Sequence, residues 1–257
     1  MGQPTIREQF NFENTVVCVT GGAGGIGTAI GELVASLGAD VAVADIAIES
    51  ARKTARDIAE TYGVEAIAVE TDVSSYDDAQ HMVKTVEAEL GAIDVLVNNA
   101  GIADNKRFVD TEPDEWDTWI GVAQYGTLNC THAVLPSMLE RGDGVLVNFA
   151  SGSYRGNDPQ LSVYGAAKAA NVSFTKTLAK EVGRDGIRVN CVSPGTVRTP
   201  ATEEWVENHE ETIAESYALR RIGEPEEVAN AVAFLASDAA SWVTGEVVHV
   251  DGGYIRR

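Results

Sequence analysis

Apolar runs are short in this sequence. The longest, such as Val95-Leu96-Val97 and Ala231-Val232-Ala233-Phe234-Leu235-Ala236, fall far below the ~20 residues that a membrane-spanning helix needs. Residues 1–14 hold no apolar signal core, and Ile6 stands where the myristoylation pattern needs Ser or Thr. A cytoplasmic protein without a membrane partner is expected. Cysteine is sparse too. Cys18, Cys130 and Cys191 are odd in number and widely spaced, which fits no metal or redox spacing and points to buried reduced thiols. His81, His132, His209 and His249 share no ligand spacing either, so no metal is expected. Cations are the third scarcity. Lys and Arg total 19 against 39 Asp and Glu, for a net charge of −20. Lysine is confined to positions 53, 84, 106, 168, 176 and 180. Nucleic acid is a poor partner for such a surface, because phosphate binding needs clustered cations. A carboxylate-rich, lysine-poor surface also suits high salt, where self-repulsion is screened. An ordinary acidic cytosolic protein is the alternative.

What is present is a regular alternation. The 257 residues are 44% hydrophobic, enough for one large α/β domain over 1–257. Short β-branched runs at 15–20, 40–45, 64–70, 93–98, 144–150, 187–192 and 246–250 predict seven strands. Helical patterns fill 26–37, 48–62, 75–90, 114–140, 163–182, 202–217 and 225–236, several ended by glycine. Pro136 is expected to bend or interrupt the long helix at 114–140. Strands alternating with helices imply parallel pairing through right-handed crossovers. The expected fold is a single Rossmann-like, doubly wound parallel sheet of about seven strands with helices on both faces.

The first strand runs into Thr20-Gly21-Gly22-Ala23-Gly24-Gly25-Ile26-Gly27. Glycines let the backbone turn tightly and approach a pyrophosphate, and the helix that follows offers free N–H groups and a positive dipole end. A glycine cluster between strand and helix is the context of a dinucleotide site. Gly21, Gly25, Ile26 and Gly27 are the candidate contacts. Asp45 ends the second strand, where an acid holds the adenosine ribose hydroxyls and repels a 2′-phosphate. No Lys or Arg lies in the loop, and Ile46 follows Asp45. The cofactor expected is NAD rather than NADP. The alternative for Asp45 is a cap on the next helix.

With these features the chain resembles the short-chain dehydrogenase/reductase family in its compact single-domain form, over about residues 14–254. The glycine loop is similar to the family's Thr-Gly-x-x-x-Gly-x-Gly pattern. Asn98-Asn99-Ala100-Gly101 resembles its fourth-strand motif, and Asp72-Val73 the pair beside the adenine. Tyr164-Gly165-Ala166-Ala167-Lys168 resembles the Tyr-x-x-x-Lys signature, with Ser151 thirteen residues earlier. Pro194-Gly195 follows the sixth strand, with Val197 and with Thr199 in the nicotinamide-contact position. The stretches from Val243 to Gly245 and from Asp251 to Gly253 resemble the closing segment. The resemblance implies that Ser151, Tyr164 and Lys168 are catalytic. It implies that Asp72, Val73, Asn99, Ala100, Gly101, Pro194, Gly195, Val197 and Thr199 join Tyr164 and Lys168 around the cofactor. It also implies a homotetramer, through the helices at about 114–139 and 163–182 and through the last strand and tail.

Physical chemistry supports the pair. Residues four apart share a helix face. A free tyrosine has a pKa near ~10, and a nearby lysine ammonium together with the positive nicotinamide ring of the oxidised cofactor favours its phenolate. Tyr164 can then exchange a proton with an alcohol or alkoxide, while Lys168 holds the nicotinamide ribose and Ser151 donates to the substrate oxygen. Ser153 and Tyr154 rank below them. One departure stands out. The family usually has an asparagine in the helix after Asn-Asn-Ala-Gly, where it bends the helix and holds a proton-passing water. Here Ala123 takes that place, in Val122-Ala123-Gln124-Tyr125-Gly126. Gln124 points about 100° away at ~3.6 residues per turn. Substrate contacts are expected from 103–108, 153–161 and a lid at about 197–218. Lys106, Arg107 and Arg155 are the nearest cations, read as surface residues. The function implied is hydride transfer between NAD(H) and a secondary alcohol or ketone: a 3-oxoacyl thioester, sugar, polyol or cyclic alcohol. The alternative, suggested by Ala123, is a catalytically weak NAD-binding or regulatory protein.

Overall fold

Strands buried on both faces read as nearly continuous apolar runs, and β1 (Val16–Thr20), β4 (Val95–Asn98) and β5 (Gly144–Phe149) are buried at every position. The computed structural model describes residues 4–102, 104–156 and 158–254. Its order is α1 (Ile6–Gln9), β1, α2 (Gly25–Ser36), β2 (Asp40–Asp45), α3 (Ile48–Tyr62), β3 (Ala66–Glu70), α4 (Tyr76–Glu89) and β4. Then follow α5 (Pro113–Ile120), a π-helical turn (Gly121–Tyr125), α6 (Gly126–Arg141), β5, α7 (Ser162–Val182) and β6 (Ile187–Pro194). α8 (Glu203–Ala214), α9 (Pro225–Ala236) and β7 (Val247–Val250) complete it.

The seven strands form one sheet in the order β3-β2-β1-β4-β5-β6-β7, and every pairing is parallel. Alternate side chains of each strand go to opposite faces. Val17, Val19, Val41, Val43, Val95, Val97, Val145 and Val147 pack with α2, α3 and α9. Val16, Cys18, Ala42, Leu96 and Leu146 pack with α4, α6 and α7. Each fully buried valine or leucine of this kind contributes about 1.5–3 kcal/mol. The three cysteines are buried and free. Among the described residues no helix is long and apolar enough to cross a membrane, and no His/Cys/Asp/Glu group could hold a metal.

One polar seam crosses this core. Asn98 on β4 lies opposite Asn148 on β5. Its amide donates to Asn148 Oδ1 at 2.9 Å and to Thr131 Oγ1 at 3.0 Å. Asn148 in turn donates to Thr175 of α7 at 2.9 Å.

The long helix expected at 114–140 departs from its prediction. Pro136 sits inside α6 without ending it. Pro136 and His132, whose carbonyl loses its i+4 donor, both lie on the exposed side, where solvent can reach that carbonyl. The interruption falls earlier, at the π turn, where the Gly126 N–H donates to the Gly121 carbonyl. Ala123 is fully buried there. The local widening expected to need an asparagine is therefore present with an alanine. The third strand starts at Ala66 rather than at 64; other boundaries lie within about three residues of those expected.

Candidate functional site

In an open parallel sheet, the strand order reverses where two crossovers leave in opposite directions, and a crevice opens at the carboxyl ends. Here that point lies between β1 and β4. A cavity of about 1410 Å³ runs along this edge of the sheet, room for a dinucleotide and a further small molecule. Every site residue expected from the sequence lines it.

The loop after β1 is built for close approach. Gly21 has a φ of +61°, and a Cβ there would lie 2.9 Å from Ala100 Cα. A Cβ on Gly27 would come 2.1 Å from the Gly21 carbonyl oxygen, so only glycine lets α2 begin so close beneath the loop. Asn99 pins the same loop from β4, donating at 3.0 Å to the carbonyls of Thr20 and Gly21. The Ala100 N–H bonds Thr20 Oγ1 at 3.2 Å. The N-terminus of α2 has no side-chain cap, which leaves its first N–H groups for an anion. A Cβ on Gly25 would meet Thr199 at 2.9 Å, so Thr199 closes the loop from the β6 side. Gly25, Ile26, Pro194, Gly195 and Val197 line the wall between them. These residues fit a nicotinamide dinucleotide.

Asp45 ties the glycine loop to the start of α3. Its carboxylate accepts from the Ala23 N–H of the glycine loop at 3.0 Å and from Ala47, the cap of α3, at 2.9 Å. It also faces the cavity. Asp72 and Val73 line the cavity too, and Asp72 accepts from the Ser74 N–H and hydroxyl at 2.9 and 2.7 Å.

At the other end, Ser151, Tyr164 and Lys168 converge. Tyr164 and Lys168 stand one turn apart on α7, with Lys168 Nζ 5.6 Å from the tyrosine ring centre. Lys168 is 2% exposed and donates to the Phe149 carbonyl at 3.2 Å. Gly101 lies against it: a Cβ there would touch Nζ at 3.4 Å, an ordinary contact. Burial pulls the Lys168 ammonium down to about 8. Burial pushes the Tyr164 phenol up to about 12, only partly offset by its hydrogen bond with Ser151. In the protein alone desolvation dominates, and the phenol keeps its proton at neutral pH. Ser153 is buried and donates to Ser151 Oγ at 3.0 Å, while Tyr154 turns away to His249 at 3.0 Å. Neither lines the cavity.

The substrate end is walled by residues of all three expected segments, among them Asn105, Asp158, Leu161, Trp205 and Tyr217. Ala103 and Asn157, in two of those segments, lie outside the described residues. Lys106, Arg107 and Arg155 do not line the cavity, and each is ion-paired: with Glu115 at 2.8 Å, Asp110 at 4.0 Å and Asp251 at 3.3 Å. Two lining residues, Asp251 and Tyr254, are not among those expected. Tyr254 donates to Asp158 Oδ1 at 2.8 Å. The signal that could have found them is topological: in an all-parallel sheet, whatever follows β7 emerges at the same edge as the glycine loop.

Comparison with known proteins agrees with this geometry. The family model described as enoyl-(acyl carrier protein) reductase matches residues 21–255. A 3-oxoacyl-[acyl-carrier-protein] reductase of Thermotoga maritima is 40% identical over 246 residues, covering 95% of this chain and 99% of its own. A meso-2,3-butanediol dehydrogenase of Serratia marcescens is 40% identical over 242 residues, covering 94% and 95%. A short-chain type dehydrogenase/reductase from Mycobacterium marinum superposes with a TM-score of 0.92 at 32% identity, covering 97% of this chain and 99% of that one.

Proposed function

The chain belongs to the short-chain dehydrogenase/reductase family of oxidoreductases, and from that premise we propose that it moves a hydride between NAD(H) and a small, neutral secondary alcohol or ketone. The observation that carries this reading is the convergence of Ser151, Tyr164 and Lys168 on the cavity that the glycine loop and Asp45 also line. The nicotinamide cofactor supplies the hydride or takes it up. The chain's own groups do the rest. Ser151 donates to the substrate oxygen, and Tyr164 passes a proton to or from it. Lys168 holds the nicotinamide ribose hydroxyls. With burial holding the phenol protonated, Tyr164 can give its proton to the oxygen of a ketone as it is reduced, and takes one up in the reverse reaction. Reduction should fade as pH rises through about 8, where Lys168 loses its charge.

A neutral substrate is favoured by the charges at the mouth. The nearby cations are already held: Lys106 and Arg155 as above, and Arg198 by Glu203 and Glu210, both at 2.8 Å. Among the described residues, the cavity lining has Lys168 as its single cation against Asp45, Asp72, Asp117, Asp158 and Asp251. An anionic acyl thioester finds no partner there, whereas hydroxyls can donate to Asp158. Of the two relatives, the butanediol dehydrogenase is the nearer guide. The weak-binder alternative rests on Ala123 alone. Residues 197–218 are proposed as the lid of this single catalytic domain, with Trp205 and Tyr217 on its inner side. A cytoplasmic setting without nucleic-acid partners suits the net charge.

The test follows NADH absorbance with vicinal diols, hydroxyketones and acetoacetyl-CoA, using NAD and NADP. NAD should be preferred at least about tenfold, and Asp45→Ala should narrow the gap, since the carboxylate would repel a 2′-phosphate. A preference for NADP in the unmodified protein refutes the reading of Asp45, and a preference for the thioester refutes the neutral substrate. A homotetramer is also proposed, supported by Tyr125 and Leu139 exposed along the π turn and α6 and by Trp242, 98% exposed, before β7. Residues 255–257 of the tail lie outside the described residues. Sedimentation with and without molar KCl should give four subunits; a monomer in both overturns the assembly. Dependence of the fold on KCl would support salt adaptation.

A further inference from the structure

Asn171 lies on α7, three residues after Lys168 and so on nearly the same helix face. It has no exposed surface. Its amide nitrogen meets three acceptors on three elements: the Ala123 carbonyl of the π turn at 2.8 Å, Thr127 Oγ1 of α6 at 3.1 Å and the Phe149 carbonyl of β5 at 3.2 Å. The Phe149 carbonyl is also the acceptor for Lys168 Nζ, at 3.2 Å, and it stands two residues before Ser151. Asn171 Oδ1 is buried with no hydrogen-bond partner. A buried amide oxygen left so costs about 1–3 kcal/mol, and an apolar side chain at this core position would avoid that cost. The amide is therefore placed against stability, at the point where the three elements around Lys168 meet.

We propose that Asn171 is a positioning residue for proton transfer: from α7 it ties the π turn to the end of β5, and so holds the carbonyl that fixes Lys168 and the strand end that presents Ser151. It does from the Lys168 helix what an asparagine at position 123 would do from the opposite side. This accounts for a widened turn at Ala123 without an amide of its own. The proposal rests on the oxidoreductase reading. The titratable groups against Lys168 are Tyr164 on α7 and Cys191 on β6.

The experiment compares Asn171→Ala, Asn171→Asp and the double variant Ala123→Asn/Asn171→Ala with the parent in ketone reduction. It measures kcat, KM, NADH affinity, melting temperature and the pH–rate profile. Asn171→Ala should lower kcat by about ten- to a hundredfold, the scale of a small misplacement, with NADH affinity within about twofold. Restoring an amide from the other side in the double variant should recover part of that loss. Asn171→Asp, nearly isosteric, can donate to these acceptors only as a protonated acid with a single O–H, so it should lose kcat much as Asn171→Ala does, and more steeply as pH rises. If Asn171→Ala merely melts earlier, with kcat and pH profile unchanged, the proposal is overturned. It is equally overturned if no Asn171 variant folds, since the residue is then a core strut. Absence of turnover in the parent is a different result: it defeats the functional reading itself.

Discussion

Tyr164→Phe is expected to lower turnover by about 10²- to 10⁴-fold, the range of general acid–base catalysis by one side chain, while NADH affinity stays within about twofold. The change removes one oxygen and little volume, so the half-buried ring still packs on α7 and Lys168 keeps its bond to Phe149. What disappears is the only group in the cluster that both holds a proton at neutral pH and can give it to a forming alkoxide. Ser151 keeps its hydroxyl but is far too weak an acid to stand in. Lys168 Nζ stands over the tyrosine ring, 5.6 Å from its centre, and is held on the Phe149 carbonyl. A selective fall in kcat/KM, with binding intact, is the signature of an interaction made in the transition state. Steady-state kinetics and NADH fluorescence titration separate the two quantities. Unchanged kcat in the phenylalanine variant would place the proton donor elsewhere and rule out proton transfer through Tyr164.

Gly27→Ala should abolish dinucleotide binding, with an affinity loss of about a hundredfold or more, equivalent to about 2.7 kcal/mol. The added methyl would lie 2.1 Å from the Gly21 oxygen and 2.8 Å from Gly22 Cα. Both are backbone atoms, so no side chain can turn aside. Either α2 withdraws or the loop opens. In each case Gly21 loses its hold by Asn99 and the N–H groups of α2 no longer face the crevice. Overpacking of this kind also destabilises, typically by about 1–3 kcal/mol, so the melting temperature should fall. Gly24→Ala serves as the stability control, because its Cβ would come no closer than 3.4 Å to its nearest contact. Native NADH affinity in Gly27→Ala would falsify the assignment of this loop to the cofactor.

These two positions are legible in the sequence for physical reasons. Glycines at a strand-to-helix junction and a Tyr–Lys pair at helical spacing are local patterns, and the sheet order follows from alternating periods and crossover handedness. What escapes the sequence is nonlocal. Asn171 reads as one polar residue in a helix; its importance appears when Ala123, Thr127 and Phe149 arrive from three other elements. Tyr254 meets Asp158 across 96 positions. The π turn has no composition of its own, and Pro136, the visible helix breaker, proves harmless because its face is wet. The burial that raises the Tyr164 phenol in the protein alone is nonlocal as well. Proximity of an ammonium can be read from spacing, but loss of solvent cannot.

The seam of Asn98, Asn148 and Thr175 bears on how the protein assembles. β4 and β5 are joined by a long crossover, so their valine-rich faces can first meet in several alignments of similar hydrophobic gain. Sliding one strand by a single residue would set each amide against an aliphatic neighbour on the wrong face. Every stranded amide would then cost about 1–3 kcal/mol. Misaligned pairings are disfavoured by that cost. The seam therefore bears on which alignment is reached as well as on how stable the finished sheet is. Its replacement by valine or leucine would be felt in refolding yield as well as in the melting temperature.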